Sequence, residues 1–592
     1  MLRLHSAGAR ATKLRDLHVS TLATPHASPA AQRVPAGAVA RYPVIVVGAG
    51  PVGLTAALDL AQHGVRTLLL DEDDKLSEGS RAICFAKRTL EILDRLQVGQ
   101  RCVDKGVVWN RGKVFLRDAL LYQFDLLPES GHKRPAFINL QQYYLEQFLI
   151  DRLAQAHAVE ARWCNRVVAV APRADGVLIT VETPTGRSQL ECDYLLACDG
   201  SRSPVRTQLG LEASGQVFRD RFLIADVKME ADFPTERWFW FDPPFHPGQS
   251  VLLHKQADNV WRIDFQLGWD ADPEAEKRPE RVLPRIRAML GEDRPFSLEW
   301  VSVYTFRCQR MQRFRHGRVF FLGDSAHQVS PFGARGANSG IQDADNLGWK
   351  LALVLAGQAP DALLDTYDAE RVPAADENIL NSTRSTDFIT PKSGVSRHFR
   401  DAALQLAQQH AFARGIVNSG RLSLPHTYAD TPLDTPDRDA FEARVMPGSP
   451  AIDAPLNGTH GPAWLIDQLG GHFHGIYFAG GAPADDSLAA RLLGLSRLPV
   501  PVRPLVVCAA GCAVPWRSAG LLTFDDAQTL FAQRYDATPG TLYLIRPDQH
   551  IAARWRQLEL RAVRDAMMRA TGGVRATSGA SATSGFTQDT SA

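Results

Sequence analysis

VIVVGAGPVG, residues 44–53, joins an unbroken apolar run to a glycine-rich turn. Such a run is typical of a strand that is buried on both faces of a parallel sheet. Pro51 suits the first turn of a helix, and apolar residues follow at helical spacing until His63 and Gly64. VRTLLLDED, residues 65–73, then provides a second strand. This order predicts a βαβ nucleotide-binding unit.

Each glycine of this turn has its own expected task. Gly48 permits the tight turn, Gly50 lets the backbone approach a pyrophosphate, and Gly53 lets the helix pack close to the strand. Asp71 ends the second strand, where a carboxylate would bind a ribose diol and repel a 2'-phosphate. The AMP half of FAD or NAD therefore fits better than NADP. A structural turn without a ligand is the alternative.

GDSAHQVSPFGARGAN, residues 323–338, is a second glycine-rich turn, and it follows the apolar strand RVFFL. Asp324 stands directly after that strand, where its carboxylate could accept hydrogen bonds from a polyol. Gly333 and Gly336 allow close backbone approach. A helix that begins near Asn338 would direct its positive end over the loop and favour an anionic reduced flavin by about 1 kcal/mol. We expect this turn to hold the opposite end of the same dinucleotide.

The bulk composition is that of a globular protein with small-molecule partners. The chain has 592 residues, enough for about three or four domains. Its formal charge of +1 predicts no attraction to nucleic acid or membranes, and no apolar run is long enough to span a bilayer. The eight cysteines lack the spacing of zinc or thioredoxin-type redox sites, so we expect no metal and a reducing, cytoplasmic location. Cys508 and Cys512 are expected to be core thiols, with a redox role as the alternative.

A different pattern occupies the middle of the chain. Between residues 220 and 305, apolar and polar residues alternate with period two, which predicts an antiparallel sheet with one covered face. In NVWRIDFQL, residues 259–267, one face carries Trp261, Ile263, Phe265 and Leu267, and the other carries Arg262, Asp264 and Gln266. The strand-then-turn pattern returns at RVFFLGDSAH. We therefore expect a nucleotide-binding sheet that is interrupted by a second sheet and then completed.

Three motifs together resemble the fingerprints of one family. GAGPVG, the Asp199-Gly200 pair in CDGSRSPVR, and GDSAH are similar to those of the class A flavoprotein aromatic hydroxylases, which have the p-hydroxybenzoate hydroxylase fold. The resemblance covers residues 42–400. GSRAICFAKRTLEIL, INLQQYYLE and YLIRPDQHIAARW most resemble the 3-(3-hydroxyphenyl)propionate hydroxylase and phenol hydroxylase branch. The final domain of that branch is thioredoxin-like and lacks redox cysteines.

The resemblance implies an α/β fold with a Rossmann-like FAD-binding domain, an interleaved, mainly antiparallel β-sheet substrate domain and a C-terminal thioredoxin-like domain. The composition of the first forty residues is typical of a targeting peptide or a disordered extension, and an upstream start codon is a further alternative. The expected division is an extension (1–40), an FAD-binding domain (41–220 and 306–420), a substrate-binding sheet (221–305), a linker (421–445), a thioredoxin-like domain (446–570) and a disordered tail (571–592).

The resemblance also implies roles for matched residues. Arg81 and Gln142 would contact the ribityl chain and pyrophosphate of FAD, and Arg206 would assist the nicotinamide nucleotide. The alternatives are an exposed loop arginine at Arg81 and a solvated charge at Arg206. The expected FAD contacts are Gly48, Gly50, Gly53, Asp71, Arg81, Gln142, Asp199, Asp324, Gly336, Ala337 and Asn338. The expected catalytic segment contains Pro331, Gly333 and Asn338, with the Pro331 carbonyl near a phenolic oxygen.

The implied reaction is a hydroxylation. Because the chain has a single strand-linked G-x-G-x-x-G, NADH or NADPH is expected to visit as a co-substrate. In the implied cycle, reduced FAD reacts with dioxygen to give a C4a-hydroperoxide, whose distal oxygen is transferred to a small phenolic aromatic substrate. A homodimer is expected by resemblance. The alternatives are a flavin-dependent reductase of the same fold that inserts no oxygen, and a non-catalytic, flavin-bound interaction protein.

The substrate pocket is expected on the antiparallel sheet. A base or proton relay should lie near the ring hydroxyl, because phenolate attacks better than phenol. The candidates are His254, Asp264 and Tyr304 for the base, Arg262 and Arg307 for pairing with a substrate carboxylate, and Trp238 and Trp240 for an aromatic wall. For each of them the alternative is a structural or surface role, and the two tryptophans alternate along a strand in the way that core residues do.

Overall fold

The computed structural model describes residues 39–417, 423–442 and 445–573. The predicted extension (1–40) and tail (571–592) lie almost entirely outside these ranges, as does part of the predicted linker (421–445). In the described ranges, no helix combines the length and the apolar composition that crossing a membrane requires.

The strands are β1 (Ala40–Val47), β2 (Thr67–Leu70), β3 (Cys84–Ala86), β4 (Val107–Trp109), β5 (Arg111–Leu116), β6 (Ala119–Asp125), β7 (Phe137–Asn139), β8 (Val159–Arg162), β9 (Arg166–Pro172), β10 (Val177–Thr183), β11 (Gly186–Ala197), β12 (Ala213–Lys228), β13 (Arg237–Phe241), β14 (Ser250–Lys255), β15 (Val260–Leu267), β16 (Ser297–Met311), β17 (Arg315–His316), β18 (Val319–Phe321), β19 (His327–Gln328), β20 (Pro455–Gly458), β21 (Gly461–Trp464), β22 (Phe473–Gly480), β23 (Val502–Ala509), β24 (Leu522–Asp526), β25 (Leu542–Ile545) and β26 (Ile551–Trp555).

The α-helices are α1 (Pro51–Gln62), α2 (Lys87–Arg95), α3 (Gly99–Lys105), α4 (Gln142–Leu153), α5 (Pro204–Gln208), α6 (Pro273–Glu276), α7 (Pro279–Leu290), α8 (Gly336–Leu355), α9 (Thr366–Ile389), α10 (Gly394–Gln409), α11 (Ala411–Val417), α12 (Asp486–Gly494), α13 (Val514–Ser518), α14 (Leu530–Arg534) and α15 (Leu560–Ala570).

The first sheet is built around β1 in the order β17-β18-β11-β1-β2-β8, with β10 and β9 attached to β11. β1 pairs in parallel with both β2 and β11, and the residues of VIVV are buried on both faces, as the unbroken apolar run predicts. β18 joins β11 in parallel only after the whole second sheet has intervened in the chain. The predicted interruption and completion of the nucleotide-binding sheet are therefore confirmed.

The second sheet has the order β19-β16-β12-β15-β14-β13-β5-β6. On one face, Trp261, Ile263 and Phe265 pack in a core that also contains Val282 and Ile286 of α7. The opposite face of β15 lines a cavity, so the predicted division of NVWRIDFQL into two faces is confirmed. The sheet is larger than the predicted segment 221–305, because β12 and β16 extend past its limits and β13 pairs in parallel with β5 from the first quarter of the chain.

The C-terminal sheet has the order β21-β20-β24-β23-β22-β25-β26, with β22, β23 and β24 mutually parallel. Cys508 is buried at the end of β23, Cys512 is half-buried in the loop that follows, and both are free thiols. The thioredoxin-like relationship of this domain stays a prediction, as does the division of the chain into domains.

A buried ionic cluster joins the C-terminal sheet to α8 and α9. Arg546 lies 2.5 and 2.9 Å from the two carboxylate oxygens of Glu370 and 2.6 Å from Asp548. Lys350 donates to Glu370 across 2.6 Å. All four side chains are fully buried, and the cluster fixes the C-terminal sheet against the helices that follow the second glycine-rich turn.

Candidate active site

One continuous cavity of about 1510 Å³ touches both glycine-rich turns. Its lining includes Gly48, Gly50 and Asp71 at the first turn, and Asp324 and Asn338 at the second. Residues of the first and second sheets both contribute to its walls. A single extended ligand can therefore contact the two turns, although they lie far apart in the sequence.

The glycines of the first turn differ in what surrounds them. A Cβ on Gly53 would lie 1.9 Å from the Gly48 carbonyl oxygen. Gly48 has φ +99°, and a Cβ added to it would lie 2.5 Å from the Cys198 carbonyl oxygen. Gly50, in contrast, has open space within 4 Å of its Cβ direction. Gly48 and Gly53 are thus required by backbone packing, whereas Gly50 leaves room for a ligand at the N-terminus of α1.

Asp71 lies at the end of β2 and lines the same cavity. One carboxylate oxygen accepts the backbone N–H of Ala49 and the other accepts that of Asp73 at 2.9 Å. Burial raises the pKa of Asp71, and the two N–H donors act in the opposite direction. The carboxylate is held directly beside the glycine turn, where a ribose diol bound at that turn would reach it.

Gln142 at the start of α4 holds the loop that carries Arg81. Its Oε1 accepts from the Ala82 N–H at 3.2 Å, and its Nε2 donates to Ser77 at 3.1 Å and to Glu146 at 2.8 Å. Arg81 has φ +38°, and its exposed side chain lines the cavity. Gln142 also lines the cavity, but its amide is occupied by the loop.

Asp199 and Arg206 stabilise the third motif. Asp199 accepts from the Ser203 hydroxyl at 2.7 Å and from the Val205 N–H at 2.9 Å, and Ser203 in turn caps the short helix α5. Arg206 donates to the Ser325 carbonyl at 2.6 Å and so ties this motif to the second glycine-rich turn. Both residues line the cavity.

Asp324 occupies a short turn, Gly323–Ser325, directly after β18. Its side chain opens into the cavity, and burial of the surrounding turn raises its pKa. Beneath the turn, Asp343 accepts from the Gly323 N–H at 2.9 Å and from Arg371 at 2.7 Å, and it lies 2.7 Å from Nε2 of His327. This buried network, which the sequence patterns do not reveal, fixes the position of Asp324.

The second turn presents the N-terminus of α8 to the cavity. Pro331, Gly336, Ala337 and Asn338 line it, whereas Gly333 is not among the lining residues. α8 begins at Gly336, near Asn338 as predicted, and its first-turn N–H groups have no acceptors within the helix. They are available to an electron-rich ligand, such as the pyrimidine edge of a flavin.

The side chain of Asn338 has a structural role. Its Oδ1 accepts from the Ala86 N–H at 2.9 Å and the Thr89 hydroxyl at 2.6 Å, and its Nδ2 donates to the carbonyls of Cys84 and Ala334. The amide is therefore saturated by the protein. Any contact of Asn338 with a cofactor is left to its backbone N–H.

A row of polar residues crosses the second sheet on its cavity face. His254 on β14 lies opposite Arg262 on β15, and Arg262 lies opposite Asp226 on β12. On the other side of β14, continuing the register of the Trp238–Leu253 pair by one residue places Arg237 of β13 opposite His254. Directly opposed residues of an antiparallel pair lie on the same face. All four members of the row are buried.

The predicted pocket residues differ in burial and in hydrogen-bond partners. Arg262 forms an ion pair with Asp264 at 2.9 Å and donates to the Arg81 carbonyl at 2.6 Å, so its guanidinium is already engaged. Burial holds the pKa of His254 well below its ordinary value, which leaves the imidazole neutral and weakly basic. Tyr304, at 37% exposure, and the exposed Arg307 both line the cavity.

Trp238 and Trp240 pack in the core on the opposite face of the second sheet. They do not line the cavity, so the core role that the sequence offered as the alternative describes them. Arg237, which directly precedes Trp238 in β13, lines the cavity and was absent from the predicted site. Its signal in the sequence is weak, since it is a single arginine at the start of an aromatic strand.

The residues of the cavity fit FAD. Open space at Gly50, the carboxylate of Asp71 beside it, and the first-turn N–H groups of α8 all border one continuous cavity. They match the pyrophosphate, the adenosine ribose and the isoalloxazine edge of that dinucleotide. In the described residues, no cluster of three or more His, Cys, Asp or Glu side chains is placed to hold a metal ion.

Comparison with known proteins agrees with this geometry. The model of the FAD binding domain family matches residues 41–382. The 6-methylpretetramide 4-monooxygenase of Streptomyces rimosus is 32% identical over 539 residues, which cover 86% of this chain and 90% of that protein. The 3-(3-hydroxy-phenyl)propionate/3-hydroxycinnamic acid hydroxylase of Mycolicibacterium smegmatis is 31% identical over 370 residues, which cover 61% of this chain and 64% of that protein.

Among solved structures, the flavin-dependent monooxygenase PieE in complex with FAD and substrate is similar, with a TM-score of 0.74 and 24% identity over 90% of this chain and 99% of that chain. At that identity the likeness concerns the fold. The family match and the full-length relative go further: this protein is an FAD-dependent oxidoreductase that belongs to the class A family of FAD-dependent aromatic monooxygenases.

Proposed function

We propose that the enzyme hydroxylates a phenolic aromatic compound similar to 3-(3-hydroxyphenyl)propionate. The observation that supports this proposal is the continuity of the cavity, which extends from the FAD cradle to a compartment with apolar walls at Leu252, Phe306 and Phe332 and a cationic group at Arg237. Apolar walls suit an aromatic ring, and a few polar groups fix its orientation. The relative from Mycolicibacterium smegmatis carries a hydroxylase name with a substrate of this class.

Bound FAD supplies the activation of dioxygen, and NADH or NADPH supplies the electrons. In balance, the phenol, dioxygen, NAD(P)H and one proton give the dihydroxylated ring, NAD(P)⁺ and water. The chain's own residues bind and orient. In this proposal Asp324 and the first-turn N–H groups of α8 hold the flavin, and Pro331 offers its carbonyl to the phenolic hydroxyl.

The candidates for the base that receives the phenolic proton are Asp264, His254 and Tyr304. Asp264 is paired with Arg262, and His254 is a weak base because burial lowers its pKa. Tyr304 lines the cavity and is 37% exposed, which supports it among the predicted candidates as the group that passes a proton outward. We therefore favour Tyr304 as the first member of a proton relay.

The test is a screen of phenols with the purified FAD-loaded protein. A substrate should increase NADH or NADPH oxidation and oxygen uptake together, and the product should be heavier by one oxygen atom. Substrate-dependent NAD(P)H oxidation without added oxygen in the product would instead indicate a reductase of the same fold. If no phenol increases either rate, the hydroxylase proposal is wrong.

A further inference from the structure

Arg237 is a buried cation in the cavity with no partner in the described part of the chain. Its side chain is 7% exposed and lines the cavity. Its Nε is buried without a hydrogen-bond acceptor, and its guanidinium forms no ion pair with a described carboxylate. Every other buried arginine of this sheet face has an assigned acceptor, as Arg262 has in Asp264.

The groups around Arg237 do not neutralise it. The groups that act on its pKa are the Cys84 thiol, which burial keeps protonated, and Asp264 and Arg262, which neutralise each other as an ion pair. His254, its neighbour across the strands, is uncharged, and Nδ1 of that imidazole is also buried without a partner. Asp226 lies on the far side of Arg262 in the row. One positive charge and one neutral polar group therefore face the cavity uncompensated.

An uncompensated buried guanidinium is costly, because water is lost and no acceptor replaces it. Proteins accept this cost where a ligand supplies the missing acceptor. The planar fork of a guanidinium matches two oxygens of one anionic group. We propose that Arg237, with His254 beside it, binds an anionic oxygen group of the aromatic substrate, either a carboxylate or the phenolate itself. This inference rests on the proposed function, because the substrate is the ligand.

The position of Arg237 relative to the flavin loop suits this role. Arg237 and Cys84 both line the cavity, and the Cys84 carbonyl accepts from Nδ2 of Asn338 in the first turn of α8 at 2.9 Å. Leu252 lies in β14, next to the strand that carries Arg237, and contributes an apolar side chain to the cavity wall. A substrate held at Arg237 would thus place its ring in the apolar compartment next to the Pro331–Asn338 loop. We assign Arg237 a positioning role.

The experiment measures binding to the FAD-loaded protein through the change in flavin absorbance. The probes are 3-(3-hydroxyphenyl)propionate, its primary amide and 3-phenylpropionate. The first two differ only in the carboxylate, and the first and third differ only in the phenol. The variants are Arg237→Met, Arg237→Lys and, as a control on the same cavity, Arg307→Met, which removes an exposed cation.

If the carboxylate is the anchor, the wild type should bind 3-(3-hydroxyphenyl)propionate about ten- to a hundredfold more tightly than the amide. Arg237→Met should abolish this preference and Arg307→Met should retain it. Arg237→Lys keeps the charge without the planar fork, so its preference should be intermediate. If Arg237→Met does not retain FAD, the preference for the carboxylate over the amide is compared between the wild type and Arg237→Lys, and a smaller preference in Arg237→Lys supports the proposal.

If the phenolate is the anchor, the wild type should prefer both phenols over 3-phenylpropionate, and the bound phenol should ionise at a lower pH in the wild type than in Arg237→Met. Either result supports the proposal. An unchanged preference in Arg237→Met, or a wild type that shows no preference for an anionic oxygen, overturns it. A preference that depends on Arg237 but is accompanied by no hydroxylated product would overturn the proposed function and leave the binding site intact.

Discussion

At the scale of single residues, identical amino acids in one motif have different duties. In GAGPVG, a methyl group at Gly53 would collide with the backbone of Gly48, whereas a methyl group at Gly50 would enter open space in the cavity. The motif predicts this difference, since Gly50 is expected to admit a pyrophosphate and Gly53 to let the helix pack close to the strand. It follows that one glycine serves the fold and the other serves the ligand.

The variants Gly50→Ala and Gly53→Ala should separate these duties. Gly50→Ala should leave the thermal midpoint of the FAD-free protein unchanged and weaken FAD binding about tenfold or more, because its methyl group takes the space of the pyrophosphate. Gly53→Ala should destabilise the FAD-free protein by about 1–3 kcal/mol through overpacking. Thermal unfolding and FAD titration of the two variants measure both effects. Equal behaviour of the two variants would contradict this assignment.

Asp324→Ala should loosen the flavin without disturbing the network beneath the turn, because Asp343 rather than Asp324 binds Gly323 and Arg371. Loss of hydrogen bonds to a charged acceptor predicts a dissociation constant for FAD that is about tenfold higher or more. Equilibrium dialysis with FAD gives the value, and Asp361→Ala, at a surface ion pair with Arg315, is the control. Full FAD occupancy and full turnover in Asp324→Ala would refute our account of the second turn.

Some residues of the cavity could be predicted from the sequence and others could not. Asp71 and Asp324 could be predicted because each directly follows a strand beside a glycine-rich turn, and chain position alone places them at the sheet edge. Arg237 could not, since its burial depends on the pairing of β13 with β5 and on the cavity opposite. The saturated amide of Asn338 was also hidden, because three of its four partners, Cys84, Ala86 and Thr89, lie about 250 residues earlier in β3 and α2.

At the scale of elements, α1 and α8 pack closely around an acidic side chain. A Cβ on Gly348 of α8 would lie 1.9 Å from Oδ2 of Asp59 of α1, and that oxygen has no hydrogen-bond partner among the described residues. Burial raises the pKa of Asp59 to about 8. The helix pair therefore accommodates a protonated carboxyl group better than a carboxylate.

The raised pKa of Asp59 makes the free energy of unfolding depend on pH. Unfolded, Asp59 ionises above about pH 4, whereas in the folded protein it stays protonated until about pH 8. The folded state thus binds more protons in this window, and the free energy of unfolding should fall as the pH rises through it. Asp59→Asn is neutral throughout, so relative to the wild type it should gain about 2 kcal/mol or more between pH 5 and pH 9. Thermal midpoints across this range test it, and parallel curves would contradict it.

The elements themselves were predictable to different degrees. β1, α1 and β2 follow from local periodicity, because each buries residues that are close together in the sequence. The contribution of β5 and β6 to the second sheet was missed, because β5 meets β13 more than 100 residues later and its own pattern, RGKVFL, is short. Long-range pairing of short strands leaves no local signature.

At the scale of the whole molecule, the C-terminal sheet is held to the rest of the protein by charge as well as by apolar packing. Burial opposes the ionisation of Glu370, but the charges of Arg546 and Lys350 outweigh it and hold its pKa far below the ordinary range. Glu370 is therefore an anion that bridges two cations from different parts of the chain. The motif YLIRPDQHIAARW supplies Arg546, one of these two cations.

Glu370→Gln should strongly destabilise the protein. The variant leaves Arg546 and Lys350 buried with less compensation, and breaking a buried pair in this way costs about 3–5 kcal/mol. The matched control is Glu182→Gln, which removes an exposed ion pair with Arg166 and should leave the thermal midpoint unchanged. Differential scanning calorimetry compares the two. Equal midpoints for both variants would show that the buried cluster does not hold the C-terminal sheet.

The late arrival of β18 beside β11 has a consequence for how the protein is made. About 120 residues separate the two strands, so at roughly 5–20 residues per second a ribosome needs several seconds or more to supply the missing neighbour. During that time the nascent chain carries a growing sheet with an open edge, which invites wrong partners. Both glycine-rich turns are available to one flavin only after synthesis has passed Asn338, and the open edge of β11 persists until β18 has been made.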